Sequence, residues 1–447
     1  MIEPAGGGLP LWTVLPFAAY LAALAAVPLV FPRFWEDNRN KLLLAAAFGL
    51  PVAAGLCLGG KAPWLLHSAK EYAAFITLLA SLFVISGGVH LKGSLAGTPL
   101  ANTALLAVGA LLASLVGTTG ASMLLMPPLL RANERRERKV HIVVFFIFIV
   151  SNGGGMLTPL GDPPLYLGFL RGVPFLWTLR LIGPWALVNG ALLVIFNLLD
   201  QRILDREERE RPGSQLEAVQ RIDEPLGVEG RRNLLYLLGV LGVVYITGQY
   251  GPRLHPDPDV PLLFQILGMA ALAGASLATT PATIRRANHF TWGPILEVAA
   301  VFAGVFVTMV PALKVLEERG AALGLTRPWH FFWASGLLSS VLDNAPTYLT
   351  FASLAVGVLN QGGAGLTVDD LGRVVQHPQG ALYLAAVSCG AVFMGANTYI
   401  GNGPNFMVKA IAEHRGVAMP SFFGYMRWSL AILVPLFVVV TLVFFRH

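Results

Sequence analysis

Charged residues are scarce in this sequence of 447 residues: Asp, Glu, Lys and Arg make up only 13% of it, against about 25% in a typical soluble domain. Hydrophobic residues make up 55%, and the mean hydropathy is +0.65. This balance excludes a soluble globular protein and predicts a polytopic membrane protein. The net charge of +6 does not indicate a nucleic-acid partner, because the basic residues lie in short loops between apolar runs, as membrane topology requires.

Cysteine and several catalytic motifs are also scarce or missing. The two cysteines, Cys57 and Cys389, lie in apolar segments, which disfavours a disulfide or a cysteine metal site. The N-terminus, M-I-E-P-A-G-G-G, lacks the positive region of a cleavable signal. The motifs H-E-x-x-H, G-x-S-x-G and G-x-x-x-x-G-K-[ST] do not occur. An enzyme, including a membrane-embedded hydrolase, is therefore disfavoured, no cofactor is expected, and ion gradients must drive any transport.

Ten apolar segments are each long enough to cross about 30 Å of hydrocarbon. They are Pro10–Phe31, Leu42–Leu58, Tyr72–Leu91, Val140–Leu170, Pro174–Leu199, Asn233–Tyr250, Pro261–Thr280, Trp292–Leu313, Ala381–Ile411 and Phe422–Phe445.

Two of these segments are interrupted by Gly, Pro and polar residues. The stretch Ser151–Leu165 reads S-N-G-G-G-M-L-T-P-L-G-D-P-P-L, and Gly395–Asn405 reads G-A-N-T-Y-I-G-N-G-P-N. No continuous helix accommodates this composition, and an unwound backbone inside a membrane is tolerated only where it lines a cavity or is buried in protein. The sequence therefore predicts two broken transmembrane helices. Two proline-kinked helices without a ligand are the alternative.

Two further apolar stretches have small, polar centres. Thr103–Leu130 contains G-T-T-G-A-S at positions 117–122, and His330–Leu354 contains S-V-L-D-N-A-P-T at positions 340–347. Each has two short apolar arms, so we predict two re-entrant hairpins with tips at these positions. A kinked crossing is the alternative in each case.

The two halves of the sequence repeat one order of elements: three crossings, a hairpin, a broken crossing and a final crossing. Five crossings is an odd number, so residues 1–199 and 233–447 are predicted inverted repeats, joined by a cytoplasmic polar linker at 200–232. Its run Asp205–Arg211 is interpreted as a solvated linker or surface helix. The loops predicted to be cytoplasmic hold about twice as many Lys and Arg residues as the opposite loops, which supports this topology.

The hairpin tips and helix breaks place four polar motifs at similar depth. The two tips are expected to approach from opposite faces and to meet the breaks at 152–162 and 396–405. Backbone carbonyls and the oxygens of Asn, Thr, Ser and Asp are suitable ligands for a hard cation such as Na⁺. Taken singly, each residue is equally well explained as a helix cap or turn residue. The candidate cation- or substrate-binding residues are Thr118, Thr119, Ser151, Asn152, Thr158, Asp162, Asp343, Asn344, Asn397, Thr398, Asn402 and Asn405, with Asn152, Asp162, Asn344 and Asn402 as the Na⁺ set.

Three acids within apolar segments are candidates for proton coupling: Asp162, Glu297 and Asp343. A carboxylate that holds either Na⁺ or H⁺ supplies what antiport requires, so Asp343→Asn and Asp162→Asn are expected to lose Na⁺-dependent proton movement. Alternatives remain for two of them. In the alternative for Glu297, the residue lies near a helix end and its side chain only extends to the membrane surface. In the alternative for Asp162, the residue forms a structural ion pair with Lys409 or Arg180.

The motifs G-T-T-G-A-S-M-L-L, S-N-G-G-G-M-L-T-P-L-G-D-P-P, L-D-N-A-P-T-Y-L-T-F and G-N-G-P-N-F-M-V-K resemble the ion transporter superfamily. They are most similar to its NhaD-type sodium/proton antiporter and arsenite-permease branch, often described as citrate-transporter-like. The resemblance implies inverted repeats, two re-entrant hairpins, two broken helices, a homodimer with a scaffold domain, and elevator-type transport. It implies cation-site roles for Asn152, Thr158, Asp162, Asp343, Asn344, Thr398 and Asn402.

Dicarboxylate carriers of that superfamily have Ser-Asn-Thr at both hairpin tips. This sequence has Thr118-Thr119-Gly120 and Asp343-Asn344-Ala345 there instead, which favours a cation. The first interpretation is therefore Na⁺/H⁺ exchange across the cytoplasmic membrane by a multi-pass homodimer. The alternative is transport of an anion such as citrate or a dicarboxylate, or of an arsenite-like solute, coupled to Na⁺ or H⁺.

Overall fold

The computed structural model describes residues 9–93, 96–210, 227–288 and 290–446. Within these ranges helices dominate, and ten of them are long and apolar enough to cross a membrane. The prediction of an all-α polytopic membrane protein is confirmed. Two short strands, His90–Lys92 (β1) and Gly227–Glu229 (β2), pair antiparallel in the register His90 to Glu229.

The first half contains nine α-helices in its described residues. They are α1 Leu15–Val30, α2 Pro32–Trp35, α3 Asn38–Leu58, α4 Ala62–Ser86, α5 Pro99–Val116, α6 Thr118–Ala132, α7 Val140–Ile149, α8 Pro163–Leu170 and α9 Ile182–Glu210. Short 3₁₀ helices occupy Leu11–Val14, Gly153–Met156 and Phe175–Leu181.

The second half repeats the order of the long helices and has two short helices where the first half has one. Its described helices are α10 Arg232–Leu254, α11 Asp259–Thr279, α12 Ala282–Ala287, α13 Gly293–Arg319, α14 Pro328–Ser339, α15 Asn344–Asn360, α16 Leu371–Val374, α17 Pro378–Met394, α18 Gly403–His414 and α19 Phe422–Phe444. Short 3₁₀ helices occupy Gly320–Leu323 and Gly395–Asn397. Helix α4 therefore corresponds to α13, the α5–α6 hairpin to α14–α15, α8 to α18, and α9 to α19.

The two hairpins turn where the small residues predicted them to turn. Gly117 lies between α5 and α6 with φ +82°, a left-handed conformation that favours glycine. The second turn lies between Ser339 and Asn344, and the Asp343 side chain caps α15 by accepting a hydrogen bond from the Ala345 N–H at 3.1 Å. Helix α14 has 12 residues, so it is about 18 Å long, short of a ~30 Å crossing.

Several helix boundaries differ from the predicted segments. Helix α4 begins at Ala62, ten residues before the predicted Tyr72, and it ends at Ser86 instead of Leu91. The first turns of this helix were not predicted because they contain polar residues. Glu71 lies in these turns and is buried in an ion pair with Arg171. The ten long helices also include α5, a hairpin arm, whereas neither α7 nor α8 reaches that length.

Helix α9 continues to Glu210, well into the segment predicted as a linker. Its last turns carry part of a buried polar cluster at the base of the first hairpin, which we call the Arg136 cluster. Arg136 donates to Asp200 at 2.8 Å and to Glu207 at 3.0 Å, with all three side chains 0% exposed. His141 and Asn102 contact Asp200 at 2.8 and 3.0 Å. The prediction of a solvated run is therefore wrong for Glu207.

The Arg136 cluster ties four helices together. Asn102 belongs to α5, His141 to α7, and Asp200 and Glu207 to α9, while Arg136 follows α6. Hydrogen bonds also join Asn102 and Asn133 in both directions, at 2.7 and 2.9 Å. Because each buried charge has a partner, the cluster fixes the open end of the hairpin against the broken helix.

The helices form two packed groups. Helix α4 packs against α10, α11 and α13, and α13 packs against α1 and α3. Helix α8 packs against α15, and α18 packs against α6, so each half-helix lies against the hairpin arm of the other repeat. This packing of each half-helix against the other repeat brings both hairpin tips and both breaks together in one site.

Candidate functional site

The two helix breaks have the same construction. Helix α7 ends at Ile149 and α8 begins at Pro163, and α17 ends at Met394 and α18 begins at Gly403. Each break contains a short 3₁₀ helix, and each half-helix is preceded by an extended residue: Asp162 with φ −142° and ψ 141°, and Asn402 with φ −153° and ψ 137°. Asp162 and Asn402 are therefore equivalent positions of the two repeats.

Paired glycines allow each break to fold back on itself. A Cβ at Gly161 would lie 2.1 Å from the Gly155 carbonyl oxygen, and a Cβ at Gly401 would lie 2.6 Å from the Gly395 carbonyl oxygen. Neither contact is possible for real atoms, so only glycine fits at these two positions. This requirement explains the repeated spacing of glycines in the two motifs.

We expect Gly161→Ala to destabilise the protein by about 1–3 kcal/mol or more and to remove transport, because the break must open to admit the methyl group. Gly403→Ala is the matched control, since no atom lies within 4 Å of a Cβ placed there. Thermal unfolding of the detergent-purified variants measures the effect. Equal unfolding temperatures for the two variants would contradict this packing argument.

Two threonines attach the breaks to the hairpins. Thr158 Oγ1 donates to the Ser114 carbonyl oxygen on α5, and Thr398 Oγ1 donates to the Ser340 carbonyl oxygen beside the second tip at 2.6 Å. Each hydroxyl also accepts a backbone N–H within its own break, from Leu160 at 3.1 Å or from Gly401 at 3.1 Å. Each break and the hairpin of its own repeat therefore form one unit.

Asp162 lies where the four motifs meet. Its Oδ1 accepts hydrogen bonds from Thr118 Oγ1 at 3.1 Å and from Asn402 Nδ2 at 3.4 Å, and its Oδ2 accepts one from Asn344 Nδ2 at 2.5 Å. Thr118 begins α6, Asn344 begins α15, and Asp162 and Asn402 directly precede α8 and α18. Four helix N-termini, which carry partial positive charge, thus converge on one carboxylate.

A chain of amides continues the site into the second break. Asn402 Nδ2 also donates to Asn152 Oδ1 at 3.1 Å and to the Ser151 carbonyl oxygen at 3.1 Å. Asn152 Nδ2 donates to Asn405 Oδ1 at 2.7 Å, and Asn405 Nδ2 donates to the carbonyl oxygens of Gly395 and Thr398 at 2.8 and 2.9 Å. The amides therefore bind the two repeats to each other directly.

The Asp162 carboxylate is 1% exposed and has no cationic partner. Across the residues that the structure describes, no Lys, Arg or His nitrogen lies within 4 Å of it; Lys409 pairs with Glu413 at 3.0 Å instead, and Arg180 is exposed. Beside it, the buried Asn344 Oδ1 has no hydrogen-bond partner. A buried carboxylate next to a free acceptor oxygen is suited to a proton or a hard cation.

The structure brings together most of the predicted site residues but separates three. Asp343 is half-buried and caps α15, Thr119 is half-buried and lines a cavity of about 60 Å³ between the first tip, α4 and α13, and Glu297 pairs with Lys41 at 2.9 Å with its side chain 41% exposed. The other buried members lie in the Asp162 network or hydrogen-bond within the breaks: Thr118, Ser151, Asn152, Asn344, Asn397, Thr398, Asn402 and Asn405.

Sequence reasoning missed two serines that complete the site. Ser114 Oγ donates to the Gly154 carbonyl oxygen at 2.5 Å and accepts the Leu157 N–H at 3.0 Å. Ser122 Oγ contacts Ser151 Oγ at 2.9 Å. Ser114 is a single small polar residue in an apolar helix, a pattern that marks helix contacts in membranes. Ser122 is the last residue of the predicted first tip at 117–122 but was not named as a site residue. The described residues contain no cluster of three His, Cys, Asp or Glu residues suited to a transition metal.

Comparison with known proteins places the chain among transporters. Two proteins, one from Mycobacterium bovis and one from Mycobacterium tuberculosis, each named as an uncharacterized transporter, are 25% identical over 346 residues. The match covers 74% of this chain and 73% of each relative. Residues 6–445 match the protein family described as "Putative citrate transport". The chain therefore belongs to this family of membrane transport proteins.

Proposed function

We propose that the protein is a secondary transporter of the cytoplasmic membrane that exchanges Na⁺ for H⁺, with Asp162 as the site that both ions share. One observation carries this proposal: the Asp162 carboxylate is buried, has no cationic partner in the described residues, and lies beside the unpartnered Asn344 Oδ1. A buried charge without a partner is strongly unfavourable. An ion or a proton is therefore needed to neutralise Asp162 when the site crosses the membrane.

The donors around Asp162 allow the exchange. Thr118 and Asn344 contact the carboxylate through a hydroxyl and an amide, and rotation of either group presents an oxygen in place of a hydrogen. Na⁺ then binds the carboxylate, the Asn344 oxygen and the Thr118 oxygen, all hard ligands. Protonation of the carboxylate removes its charge and releases the cation. Occupancy by one ion excludes the other, which couples their movements.

The packing of the hairpins suits an elevator mechanism. Thr118 and Asn344, which both contact Asp162, come from the two opposed hairpins, so a cation between them is released only when a hairpin or the whole unit moves. The early helices of each half, near residues 10–58 and 233–280, would form the fixed scaffold of a homodimer, and they pack on α4 and α13. Such a protein contacts the lipid bilayer, and we expect no nucleic-acid partner.

Transport of a small carboxylate, such as citrate, is the second candidate. The four converging helix N-termini favour an anion, and the family description names citrate. Against it, Asp162 already supplies a negative charge to these N-termini, and the described residues place no Lys or Arg side chain beside them.

Purified protein in liposomes with a preset pH gradient and a pH-sensitive dye separates these functions. We expect NaCl to dissipate the gradient with no organic anion present, and liposomes without protein to show no response. Sodium citrate should act no faster than NaCl at equal Na⁺ concentration. A response that needs citrate, a dicarboxylate or arsenite, with NaCl inactive, would assign the protein to the second candidate.

A further inference from the structure

The same three residues end the two half-helices. Arg171-Gly172-Val173 follows α8, and Arg415-Gly416-Val417 follows α18. Gly172 and Gly416 have φ values of +87° and +78°. Val173 N–H donates to the Gly168 carbonyl oxygen and Val417 N–H to the Ala412 carbonyl oxygen, both at 3.0 Å. Arg171 and Arg415 are therefore equivalent positions of the inverted repeats.

Their surroundings are different. The Arg171 side chain is 4% exposed, and its guanidinium holds both carboxylate oxygens of Glu71 on α4 at 2.9 and 2.8 Å. A cavity of about 180 Å³ beside Arg171 is also lined by His67, Lys314 and Asp369. Arg415 is exposed and forms no ion pair within 4 Å with any residue of the described ranges. In this conformation one of the two equivalent arginines, Arg171, is therefore buried in an ion pair, and the other, Arg415, is exposed.

A counterpart of Glu71 exists on the equivalent helix. Glu71 is the tenth residue of α4, and Glu297 is the fifth residue of α13, so Glu297 lies about 7.5 Å nearer the start of its helix. Helix α18 has 12 residues and α8 has eight, which carries Arg415 about 6 Å farther from the site than Arg171. The two differences nearly cancel, so Arg415 can reach Glu297 as Arg171 reaches Glu71.

We propose that the ion pairs Arg171–Glu71 and Arg415–Glu297 form alternately, one in each of the two end states of the transporter. The first pair holds the conformation seen here. In the opposite state Arg171 leaves Glu71, and Arg415 binds Glu297. This inference rests on the proposed alternating-access transport, though not on which ion is carried.

Symmetry and charge explain why the pairs alternate. Inverted repeats reach the opposite-facing state when the two halves exchange conformations, so a contact made by one half is replaced by the equivalent contact of the other. When the first pair separates, Glu71 keeps His67 at 3.5 Å on its own helix, and Arg171 keeps Asp369 at 3.9 Å. A buried charge without any partner is unfavourable, which disfavours intermediate positions. Lys41, the present partner of Glu297, also contacts Asn38 at 3.1 Å and the Trp35 ring at 5.2 Å, and keeps these when Glu297 turns away.

Cross-linking tests the second pair directly. In a background with Cys57→Ser and Cys389→Ala, Glu297→Cys and Arg415→Cys are combined, and native membranes are treated with a short bifunctional thiol reagent. We expect an intramolecular cross-link whose yield rises about fivefold when Glu71→Gln weakens the first pair. Lys70→Gln is the matched control, because neighbouring Lys70 pairs with Asp259 on α11, outside the half-helices. It should leave the yield unchanged.

Arg171→Lys keeps a cation beside Glu71 and Asp369 but loses the two-point contact with the Glu71 carboxylate. It should raise the yield by less than Glu71→Gln does, and it keeps the test valid if Glu71→Gln folds poorly. Failure to cross-link in every background, or equal yields in Glu71→Gln and Lys70→Gln, would overturn the alternating pairs. Transport is measured separately in liposomes. If Na⁺/H⁺ exchange is absent but the yields change as expected, the alternating pairs stand and the proposed ion is wrong.

Discussion

Asp162→Asn abolishes Na⁺-dependent proton movement, with a loss of at least about a hundredfold, while the protein still inserts and folds. An amide has nearly the size of the carboxylate but exchanges no proton at neutral pH. It also presents an N–H₂ group toward donors on Thr118, Asn344 and Asn402, so at least one present hydrogen bond is lost. Initial rates of dye recovery in liposomes after NaCl addition measure the effect.

The equivalent position of the other repeat provides the matched control. Asp162→Asn combined with Asn402→Asp moves the carboxylate across a single hydrogen bond of 3.4 Å and should recover part of the exchange. Asp343→Asn should have a smaller effect, because Asp343 caps α15 and is only half-buried. The assignment is wrong if Glu297→Gln alone abolishes exchange while Asp162→Asn keeps the wild-type rate.

Asp200→Ala destabilises the protein by about 3–5 kcal/mol, because it leaves the fully buried Arg136 guanidinium with one carboxylate instead of two and removes the partner of His141. Arg138→Ala should change stability by less than about 1 kcal/mol, since the Arg138–Glu210 pair is 43% and 48% exposed. Unfolding temperatures and the yield of monodisperse protein in detergent report both effects.

A triple replacement separates loss of charge from loss of packing at the same cluster. Arg136→Met with Asp200→Leu and Glu207→Gln removes all three buried charges, keeps much of the volume and leaves an acceptor for the Arg138 N–H, so it should be less destabilising than Asp200→Ala alone. Equal or greater destabilisation of the triple variant would show that the cluster stabilises the fold through its hydrogen bonds to Asn102 and Gly97.

The breaks and hairpin tips were predictable because their chemistry is local. Gly and Pro in an apolar run prevent a continuous helix wherever they occur, so the motifs around Asp162 and Asn402 could be recognised without any knowledge of packing. The equivalence of these two positions followed from the repeated order of elements. The sequence also predicted that the hairpin tips meet the breaks. Which residues contact each other across repeats, such as Asn344 with Asp162, depends on tertiary packing and was not predicted.

The buried charges away from the site were not predictable in this way. Glu71 and Glu207 lie in polar sequences typical of loops or solvated helices, and both are buried because distant arginines pair with them. The Asp343 carboxylate caps a helix, a contact that depends on backbone direction and was not predicted, while its role in ion binding stays a prediction. Single acids in apolar sequence therefore identified the region of the site and not each residue's contacts.

Calorimetric titration of the purified protein with NaCl, in two buffers that differ in protonation enthalpy, tests directly whether Asp162 holds Na⁺ or H⁺ but not both. We expect Na⁺ to bind and to release protons, so that the observed heats differ between the buffers, and the affinity to fall as pH is lowered because protons compete. Asp162→Asn should show neither proton release nor this pH dependence. Na⁺ binding with equal heats in both buffers, unchanged in Asp162→Asn, would contradict exchange at this carboxylate.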